Sequence, residues 1–499
     1  MRIAIAGGGP GGLFLAALLK KAGLGHEVTV FERNRAEDTF GFGVVFSDRT
    51  LAGIHAADPV LREALAAHGR HWDAIEVRLK GERIRCGGNG MAAIVRRTLL
   101  TLLQDSARDA GADLRFATEV RLADLDRFDL VVAADGTGSQ IRQALEPAFG
   151  SAVEAAAAKF IWFGTHYLFG GLTFVHERGP HGVFAVHGYP ISAGVSTFIV
   201  ETNEPSWRAA GLDEFDVTAP PGPSDEKTRG YLEDLFADQI DGHKLLVNNS
   251  RWASFRTRRT ARWFTLDPRP VVLLGDAAHT AHFSVGSGTK MAMEDAIALA
   301  GALTAHPGDL GAALAAYEAA ARPSVDAIQA AARPSLSWWE HFGRYYDVLE
   351  PWQFAYHFLS RSITDGRLAR RDPAFAAATH RAWVARHAAE PLETPLTAGG
   401  SVFPGRLLCE IPTGAARVQA PAEEAGLPAA LARLREVVAA GAPLVAVHGG
   451  AGFTRTLLCE EARLKLGVSA LLADPALDRD GAITAVLSGR ADLVTRAAP

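Results

Sequence analysis

Three glycines near the start of the chain have the spacing of a phosphate-binding turn. Gly7, Gly9 and Gly12 follow a short apolar run, RIAIA, and precede LFLAALLKKAG, which has the periodicity of an amphipathic helix. In such a unit the first glycine permits the turn, the second lets the backbone approach a pyrophosphate, and the third lets helix and strand pack closely. Glu32 ends the next predicted strand, where a carboxylate accepts hydrogen bonds from a ribose. The pattern predicts dinucleotide binding.

Two further motifs place an acidic residue directly after an apolar run. The first follows DLVVAA, and the second follows VVLL and continues through a glycine-containing loop into a predicted helix. Singly, each has a simpler explanation, because Asp-Gly is a common turn and an aspartate often caps a helix. Their order and spacing along one chain favour a shared site with the glycine turn. The residues that these two motifs contribute are Asp135, Gly136, Gly275, Asp276, Gly288 and Thr289.

The elements around these motifs alternate between predicted strands and helices. Strands begin the segments 129–136 and 271–279, and helical periodicity follows at 94–111 and 288–304. Between 160 and 201, short aromatic and β-branched runs separated by Gly and Pro are typical of an antiparallel sheet. The sequence predicts an α/β fold: a Rossmann-like nucleotide-binding domain with an inserted antiparallel β-sheet, a helical segment and a small α/β C-terminal tail.

The expected domains are discontinuous because the sheet is inserted into the nucleotide-binding domain. A stretch rich in Pro and Gly precedes an Ala- and Leu-rich tail, which indicates a linker there. The expected boundaries are the nucleotide-binding domain at 1–75, 92–155 and 250–345, the inserted substrate-binding sheet at 76–91 and 156–249, the helical segment at 346–385, the linker at 386–425 and the tail at 426–499.

Composition excludes several classes of protein. The chain has 499 residues, a net charge of −5 and three cysteines, none in a CxxC pair, so a disulfide framework is not expected. A slightly acidic chain without a long basic block argues against nucleic acid as a partner. No uncharged apolar run approaches the roughly 20 residues of a membrane helix, and no metal-binding pattern such as HExxH occurs. We expect a cytoplasmic protein that binds neither metal, membrane nor nucleic acid.

The order and spacing of the three motifs resemble the class A flavoprotein aromatic hydroxylases, the para-hydroxybenzoate hydroxylase-like family. The resemblance covers residues 1 to about 345 and implies that the first motif binds the ADP part of FAD. It implies that the Asp135 motif lies near the pyrophosphate and that Asp276 contacts the ribityl chain. The helix after Gly288 would aim its N-terminus at the flavin ring, which favours the anionic reduced form.

The resemblance also assigns arginines to the cofactor and shows one departure. Arg97, with Arg96 as the alternative, and Arg33 are the arginines expected to contact FAD. The family usually carries Asn at the position of Thr289, and Pro-x-x-Gly-Gln-Gly where this chain has the loop 282–288. The loop at the reactive edge of the flavin is therefore a variant of the family pattern.

The resemblance implies a reaction as well. Members of this family reduce FAD with NADH or NADPH, which docks transiently, and insert one atom of O2 into an electron-rich ring through a flavin C4a-hydroperoxide. The segments 41–48 (GFGVVFSD), 160–165 (FIWFGT) and 196–201 (STFIVE) are similar to the branch that hydroxylates phenolic aryl-CoA thioesters. The expected substrate is thus a small aromatic CoA thioester. The alternative is another aromatic, such as 2-aminobenzoyl-CoA or a tryptophan or indole derivative.

The end of the chain has a separate resemblance. Residues 446–499 are similar to the last strands and helices of an old-yellow-enzyme-like barrel. The whole tail, 426–499, has about 75 residues, too few for such a barrel, which takes about 250. The tail is therefore expected to be a structural remnant without a flavin site of its own.

Candidate substrate and catalytic residues come from the predicted sheet and the variant loop. His282 is the candidate base for a phenolic proton, although most histidines in such segments are structural. Aromatic residues in strands more often fill a core, and basic clusters are often solvated surface, so each assignment has a simpler alternative. The residues expected on the substrate are Phe42, Trp162, Phe163, His187 and, for CoA phosphates, Arg258.

Two readings of the whole chain compete with a hydroxylase. A flavin dehydrogenase or oxidase has the same fold, and a non-catalytic flavin-fold binding protein belongs to a different class altogether. The intact second and third motifs argue against the latter. A homodimer is compatible with the sequence.

Overall fold

The structure, a computed structural model, describes residues 1–39, 41–47, 51–216, 223–286 and 288–496. Asp48 and Ser287, within the segments 41–48 and 282–288, lie outside these residues. The chain forms two compact units, which we describe separately. Unit 1 comprises Met1–Ala74 and Asn89–Glu340, and unit 2 comprises Ile75–Gly88 and the residues from His341 on. Among the described helices, none is both long enough and apolar enough to cross a membrane.

The described strands are numbered in chain order. They are β1 (Arg2–Ala6), β2 (Glu27–Phe31), β3 (Gly43–Ser47), β4 (Arg70–Trp72), β5 (Ile75–Leu79), β6 (Glu82–Cys86), β7 (Met91–Val95), β8 (Asp113–Arg115), β9 (Leu130–Ala133), β10 (Ser151–Thr165), β11 (Leu172–Gly179), β12 (Gly182–Pro190), β13 (Ser196–Thr202), β14 (Leu245–Leu246), β15 (Ala253–Thr260), β16 (Phe264–Thr265), β17 (Val271–Leu273), β18 (Leu396–Ala398), β19 (Ser401–Phe403), β20 (Leu407–Leu408), β21 (Ala416–Gln419), β22 (Leu444–His448), β23 (Ser469–Ala473) and β24 (Leu493–Thr495).

The described α-helices are numbered in the same way. They are α1 (Pro10–Lys21), α2 (Ala52–Ala57), α3 (Val60–His68), α4 (Arg96–Asp109), α5 (Gln140–Ala144), α6 (Glu146–Phe149), α7 (Glu204–Ala209), α8 (Glu226–Leu235), α9 (Gly288–Ala305), α10 (Leu310–Val348), α11 (Pro351–Leu359), α12 (Asp365–Arg371), α13 (Pro373–His387), α14 (Leu427–Ala439), α15 (Gly452–Glu460) and α16 (Arg479–Leu487).

Unit 1 contains the Rossmann-like sheet that the sequence predicts. Its six strands have the order β16-β17-β9-β1-β2-β8, and all pairings are parallel except that of β16 with β17. The apolar runs of β1, β9 and β17 are buried throughout except at Arg2, because helices such as α1 and α9 cover the sheet. In a parallel sheet the carboxyl ends of these strands share one edge. The three motifs, each following one of these strands, therefore meet there.

A second sheet in unit 1 is antiparallel, as expected. Strands β14, β10, β13, β12 and β11 pair in that order, and β15 also pairs with β10. One face packs on residues of α8 and on Trp252 in an apolar core. The other face carries Trp162, Tyr189 and Ile199 and packs on Phe42 and Phe283; we call it the aromatic face.

Unit 2 contains a five-stranded sheet with the order β20-β24-β23-β22-β21, all parallel. Strands β20 and β21 lie within 386–425, the region expected to be a linker. The Pro and Gly residues of 386–425 lie in the turns and connections between short strands. The hairpin of β5 and β6 also belongs to this unit, and the expectation that 76–91 is part of the inserted substrate-binding sheet stays a prediction.

Polar contacts explain why the helical segment, the hairpin and the tail form one unit. Lys80 Nζ in the hairpin turn donates to Leu349 O over 3.1 Å. Buried Glu460 in the tail accepts from the hydroxyl of Tyr345 at 2.5 Å and lies 3.2 Å from His357 Nε2. The separate helical segment and tail that the sequence suggests thus share their interior.

Candidate functional site

The first motif forms a turn that only glycine can make. Gly7 has φ +115°, and a Cβ atom there would lie 2.2 Å from the carbonyl oxygen of Ala134 in the adjacent β9 connection. A Cβ on Gly12 would lie 2.2 Å from the oxygen of Gly7, so these two glycines let α1 pack on the strands. A Cβ on Gly9 would meet nothing within 4 Å, because Gly9 faces open space. This is the division of roles that the spacing predicts.

The N-terminus of α1 begins at this turn. Gly9 is its N-cap and has no side chain to accept from the first backbone N–H groups. The positive end of the helix dipole therefore faces the open side of the turn, which suits a phosphate group.

Glu32 is fixed beside the same turn. Its Oε2 accepts from the backbone N–H of Gly8 at 2.8 Å, and its Oε1 accepts from the N–H and the side-chain amide of Asn34 at 2.9 and 2.7 Å. These bonds orient the carboxylate and leave lone pairs on both oxygens. Arg33, the next residue, has an exposed side chain at the same end of the site.

The second motif holds a carboxylate with an unused oxygen. Asp135 Oδ2 accepts from the N–H of Gln140 at 2.8 Å, whereas its Oδ1 is buried and has no hydrogen-bond partner among the described residues. Gly136 has φ +80°, which supports the turn after β9. Buried Arg142 donates to the carbonyls of Ala277 at 2.8 Å and Thr137 at 3.0 Å, so it links this motif to the third.

The third motif is held by a buried carboxylate. Asp295 Oδ2, in α9, accepts from the N–H of Gly275 at 2.9 Å and from His279 Nε2 at 2.8 Å. These bonds fix the turn that presents Asp276, whose side chain is exposed. Partial desolvation raises the pKa of Asp276, and His279 and Arg96 oppose that shift.

The three motifs line one cleft of about 370 Å³. It extends from the segment after β2, through the glycine turn, to the third motif. The predicted residues that line it are Gly7, Gly9, Glu32, Arg33, Asp135, Gly136 and Asp276. Gly12 and Gly275 instead support its walls through backbone packing. Gly288 and Thr289 begin α9, as expected, but are not among the residues that line the cleft.

Arg96 lines the cleft and Arg97 does not. This corrects the sequence-based preference for Arg97. Arg96 is the first residue of α4 and lines the cleft, where it faces Asp276 and Tyr189. Burial lowers its pKa, and the nearby Asp276 and Tyr189 oppose that effect. Arg97 is exposed, because successive residues of a helix lie about 100° apart around its axis. Periodicity alone did not show which of the two faces inward.

The predicted substrate aromatics divide between the two faces of the antiparallel sheet. Trp162 lies on the aromatic face, 6.2 Å from the ring of Phe283, and its indole N–H is buried without a hydrogen-bond partner among the described residues. Phe42 packs on the same strand, where a Cβ on Gly164 would touch its ring. The expectation that Phe163 contacts the substrate is corrected. Phe163 is fully buried in the core on the opposite face, because successive side chains of a strand point to opposite faces.

Arg258 lies beside the second motif, and its expected contact with the phosphates of CoA stays a prediction. It lies on β15, where its guanidinium donates to the hydroxyl of Ser151 at 3.3 Å and to the carbonyl of Thr137 at 3.2 Å. Thr137 lines the cleft, so Arg258 stands beside the second motif rather than in the cluster on the aromatic face.

His282 and His187 are joined by a residue that the sequence analysis missed. Glu201, on β13, is 1% exposed; its Oε2 lies 2.7 Å from His187 Nε2 and its Oε1 lies 3.2 Å from His282 Nε2. Burial would raise the pKa of Glu201, but His282 and His187 lower it to about 2. A charged residue at the end of the buried run STFIVE was the available signal.

The groups that line the cleft match the chemical groups of FAD. It offers an uncapped helix N-terminus for a pyrophosphate, an oriented carboxylate for a ribose, and Asp135 Oδ1, which lacks a partner. Among the described residues, no group of three His, Cys, Asp or Glu side chains is placed to bind a metal ion.

Comparison with known proteins decides the family. The model of the family described as FAD binding domain matches residues 1–129 and 126–332. A salicyloyl-CoA 5-hydroxylase from Streptomyces sp is 56% identical, over 99% of each chain. The chain belongs to the class A flavoprotein monooxygenases. The monooxygenase is also 36% identical, over 64% of its length and 84% of the relative's, to 3-hydroxy-4-methyl-anthranilyl-[aryl-carrier protein] 5-monooxygenase from Streptosporangium sibiricum.

A solved structure agrees in fold. The monooxygenase matches a mutant of 2-methyl-3-hydroxypyridine-5-carboxylic acid oxygenase with a TM-score of 0.54 and 19% identity, over 72% of this chain and 98% of the other. The protein is thus an FAD-dependent aromatic monooxygenase that uses NAD(P)H and O2. The non-catalytic alternative is set aside.

Proposed function

We propose that the monooxygenase hydroxylates salicyloyl-CoA at ring position 5, para to the phenol, as a step of salicylate degradation. The observation that carries this proposal is the 56% identity to a salicyloyl-CoA 5-hydroxylase over 99% of both chains. Over that length, the substrate site and the C-terminal unit are both included in the similarity. The phenolate oxygen donates electron density to the para carbon, so an electrophilic oxygen is directed there.

The cleft would hold the cofactor in an extended form. Gly7, Gly9 and the N-terminus of α1 would face the pyrophosphate, and Glu32 would accept from the adenosine ribose. Asp276 and Arg96 would contact the ribityl chain and its neighbouring phosphate. Bound FAD accepts hydride from NAD(P)H and activates O2 for transfer of one oxygen atom to an electron-rich ring.

The aromatic face supplies the surroundings that the transfer needs. Trp162 and Phe283 pack 6.2 Å apart, and Phe160 lies 4.9 Å from Phe283. Such a cluster excludes water, which protects the activated oxygen from loss as peroxide. The buried indole N–H of Trp162 is a donor for an oxygen atom of the substrate.

The partners and location of the protein belong to the same proposal. The substrate is a small aromatic CoA thioester, and the protein is cytoplasmic, where CoA esters and NADH occur. We also propose a homodimer.

A substrate series tests the proposal. Purified holoenzyme is incubated with NADH, or separately NADPH, and salicyloyl-CoA, free salicylate, benzoyl-CoA or 2-aminobenzoyl-CoA. We expect NAD(P)H consumption coupled to a 5-hydroxylated thioester with salicyloyl-CoA only. Equal coupled turnover of free salicylate would contradict recognition of the CoA thioester, and preferential turnover of 2-aminobenzoyl-CoA would replace the proposed substrate.

A further inference from the structure

A continuous line of polar atoms runs along the aromatic face of unit 1. Ser335 Oγ lies 2.8 Å from Ser284 Oγ, and Ser284 Oγ lies 2.8 Å from His282 Nδ1. His282 Nε2 faces one oxygen of Glu201 at 3.2 Å, and His187 Nε2 faces the other at 2.7 Å. The two histidines and the glutamate are buried, whereas Ser284 is partly exposed. The line therefore leads from a partly exposed serine to a buried carboxylate.

The contacts distinguish the two ring nitrogens of His282. The backbone N–H of Ser284 can only donate, and it points at His282 Nδ1 from 3.4 Å. Nδ1 is therefore the nitrogen placed to accept a hydrogen bond, and Nε2, which lies 3.2 Å from Glu201 Oε1, is the nitrogen that carries the hydrogen. In this tautomer His282 can take up a proton at Nδ1, on the side of Ser284.

The surroundings favour the cation that would result. Three buried titratable groups are costly to desolvate, and apolar side chains would fill the same space at lower cost. Glu201 is held as an anion against burial by His282 and His187. A positive charge formed on His282 would therefore be matched by a carboxylate that is already ionised.

The other groups that pack on this cluster are mostly uncharged. Phe160 on β10 is the ladder partner of Glu201, and Phe255 on β15 lies 5.0 Å from the His282 ring. Trp339 from α10 packs 4.2 Å from the His187 ring. His176 on β11 shares this face of the sheet and stacks with Trp339 at 6.1 Å.

We propose that Ser284 and His282 take up the phenolic proton of the substrate and that Glu201 is the positioning residue that orients His282 and offsets the positive charge formed on it. This inference rests on the proposed function, because it needs a phenolic substrate. The phenol O–H bond breaks and its proton passes to Ser284 Oγ, while the hydroxyl proton of Ser284 passes to His282 Nδ1. The phenolate keeps the electron pair and directs oxygen transfer to the para carbon.

The proton count closes when the ring becomes aromatic again. The para carbon loses its hydrogen to solvent as a proton, and the proton on His282 returns through Ser284 to the phenolic oxygen. The oxygen atom and the oxidising equivalents come from O2, with NAD(P)H as reductant, which the established activity supplies. The second oxygen atom of O2 leaves as water, and one proton from solvent is consumed in each cycle.

The test measures ionisation of the bound substrate, separately from turnover. Full-length holoenzyme is mixed without oxygen with salicyloyl-CoA, and the phenolate absorbance is followed against pH. In Glu201→Gln and in Ser284→Ala, we expect the ionisation midpoint to rise by at least about one pH unit. We also expect kcat at neutral pH to fall about tenfold or more and to recover as pH rises, with FAD content unchanged.

A matched carboxylate serves as the control. Glu177, on β11 of the same sheet, accepts from the side chain of Gln239 at 2.7 Å and is not part of the polar line. Glu177→Gln should keep the wild-type ionisation midpoint and pH profile. The methyl ether 2-methoxybenzoyl-CoA, which has no phenolic proton, should give no pH-dependent phenolate signal with any variant.

The outcomes separate this inference from the proposed function. If the wild-type enzyme neither binds nor hydroxylates salicyloyl-CoA, the proposed function is wrong. If the wild-type enzyme does both, and Glu201→Gln and Ser284→Ala keep its ionisation midpoint, the proton uptake proposed here is wrong. Glu201 is buried, so its replacement can prevent folding. If Glu201→Gln does not fold, the ionisation midpoint of the Ser284→Ala variant, which changes a partly exposed residue, decides whether the proposed proton uptake is right.

Discussion

Two neighbouring arginines provide a sharp test of the cofactor site. Arg96 lines the cleft and faces Asp276, whereas Arg97 is exposed, although both stand in the first turn of α4. Replacing each by alanine changes the same charge at almost the same place in the sequence. The pair therefore separates a contact with FAD from a general electrostatic effect.

The expected sizes follow from the environments of the two side chains. A hydrogen bond to a charged group contributes about 1.5–3 kcal/mol, so Arg96→Ala should weaken FAD binding by about 10- to 150-fold. An exposed charge without a fixed partner contributes about 0–1 kcal/mol, so Arg97→Ala should change the Kd by about fivefold at most. Removing Arg96 also removes the cost of keeping a desolvated cation in the cleft. We therefore expect the loss of FAD affinity towards the lower end of the 10- to 150-fold range.

The assay is titration of apoprotein with FAD, followed by quenching of flavin fluorescence. Circular dichroism of both apoproteins checks that neither replacement unfolds α4. The placement of Arg96 would be refuted if both variants bound FAD like the wild type, or if Arg97→Ala were the weaker binder of the two.

Three further predictions follow from the structure. Phe163→Ala should destabilise unit 1 by about 3–5 kcal/mol in denaturant unfolding, since Phe163 is fully buried in the core. Trp162→Ala should instead lower kcat/KM. If Phe163→Ala lowered kcat/KM and Trp162→Ala lowered stability, the assignment of the two faces would be reversed. Because Glu201 has a folded pKa of about 2 against an ordinary value of 4.5, its contribution to stability is complete above pH 4.5 and lost as pH falls towards 2; Glu201→Gln should flatten that part of the stability curve, and equal slopes would contradict it. A chain that ends at residue 390 should bind FAD but aggregate, because Tyr345 and His357 lose Glu460; a monodisperse truncated protein on size-exclusion chromatography would show that the tail is dispensable.

The local motifs were the part that sequence could predict best. The glycine turn has a short, local spacing between an apolar strand and a helix, so the sequence alone located Gly7, Gly9 and Gly12. Parallel strands share an edge, which is why Asp135 and Asp276 line the same cleft as the turn. Their roles in binding FAD stay predictions until they are measured.

The rest depended on which way a side chain faces. Arg96 and Arg97 differ only by their angle on the first turn of α4, and Trp162 and Phe163 differ only by strand alternation. An error of one residue in either phase reverses the assignment. The burial pattern of the neighbouring elements distinguishes the two residues of each pair, but the sequence alone does not supply that pattern.

Long-range pairing was the other limit. The role of Glu201 depends on its contact with His282, which lies 81 positions later in the sequence. No local sequence pattern predicts that contact. The strands β20 and β21 are two and four residues long, too short for any alternation to show in a Pro- and Gly-rich stretch.

Product analysis with isotopically heavy O2 tests the central claim most directly. Holoenzyme, NAD(P)H and salicyloyl-CoA are incubated under heavy-isotope O2, and the thioester product is examined by mass spectrometry and NMR. We expect one heavy oxygen atom on ring position 5, with one NAD(P)H consumed for each product molecule. NAD(P)H oxidation that yields only hydrogen peroxide, with salicyloyl-CoA recovered unchanged, would contradict it.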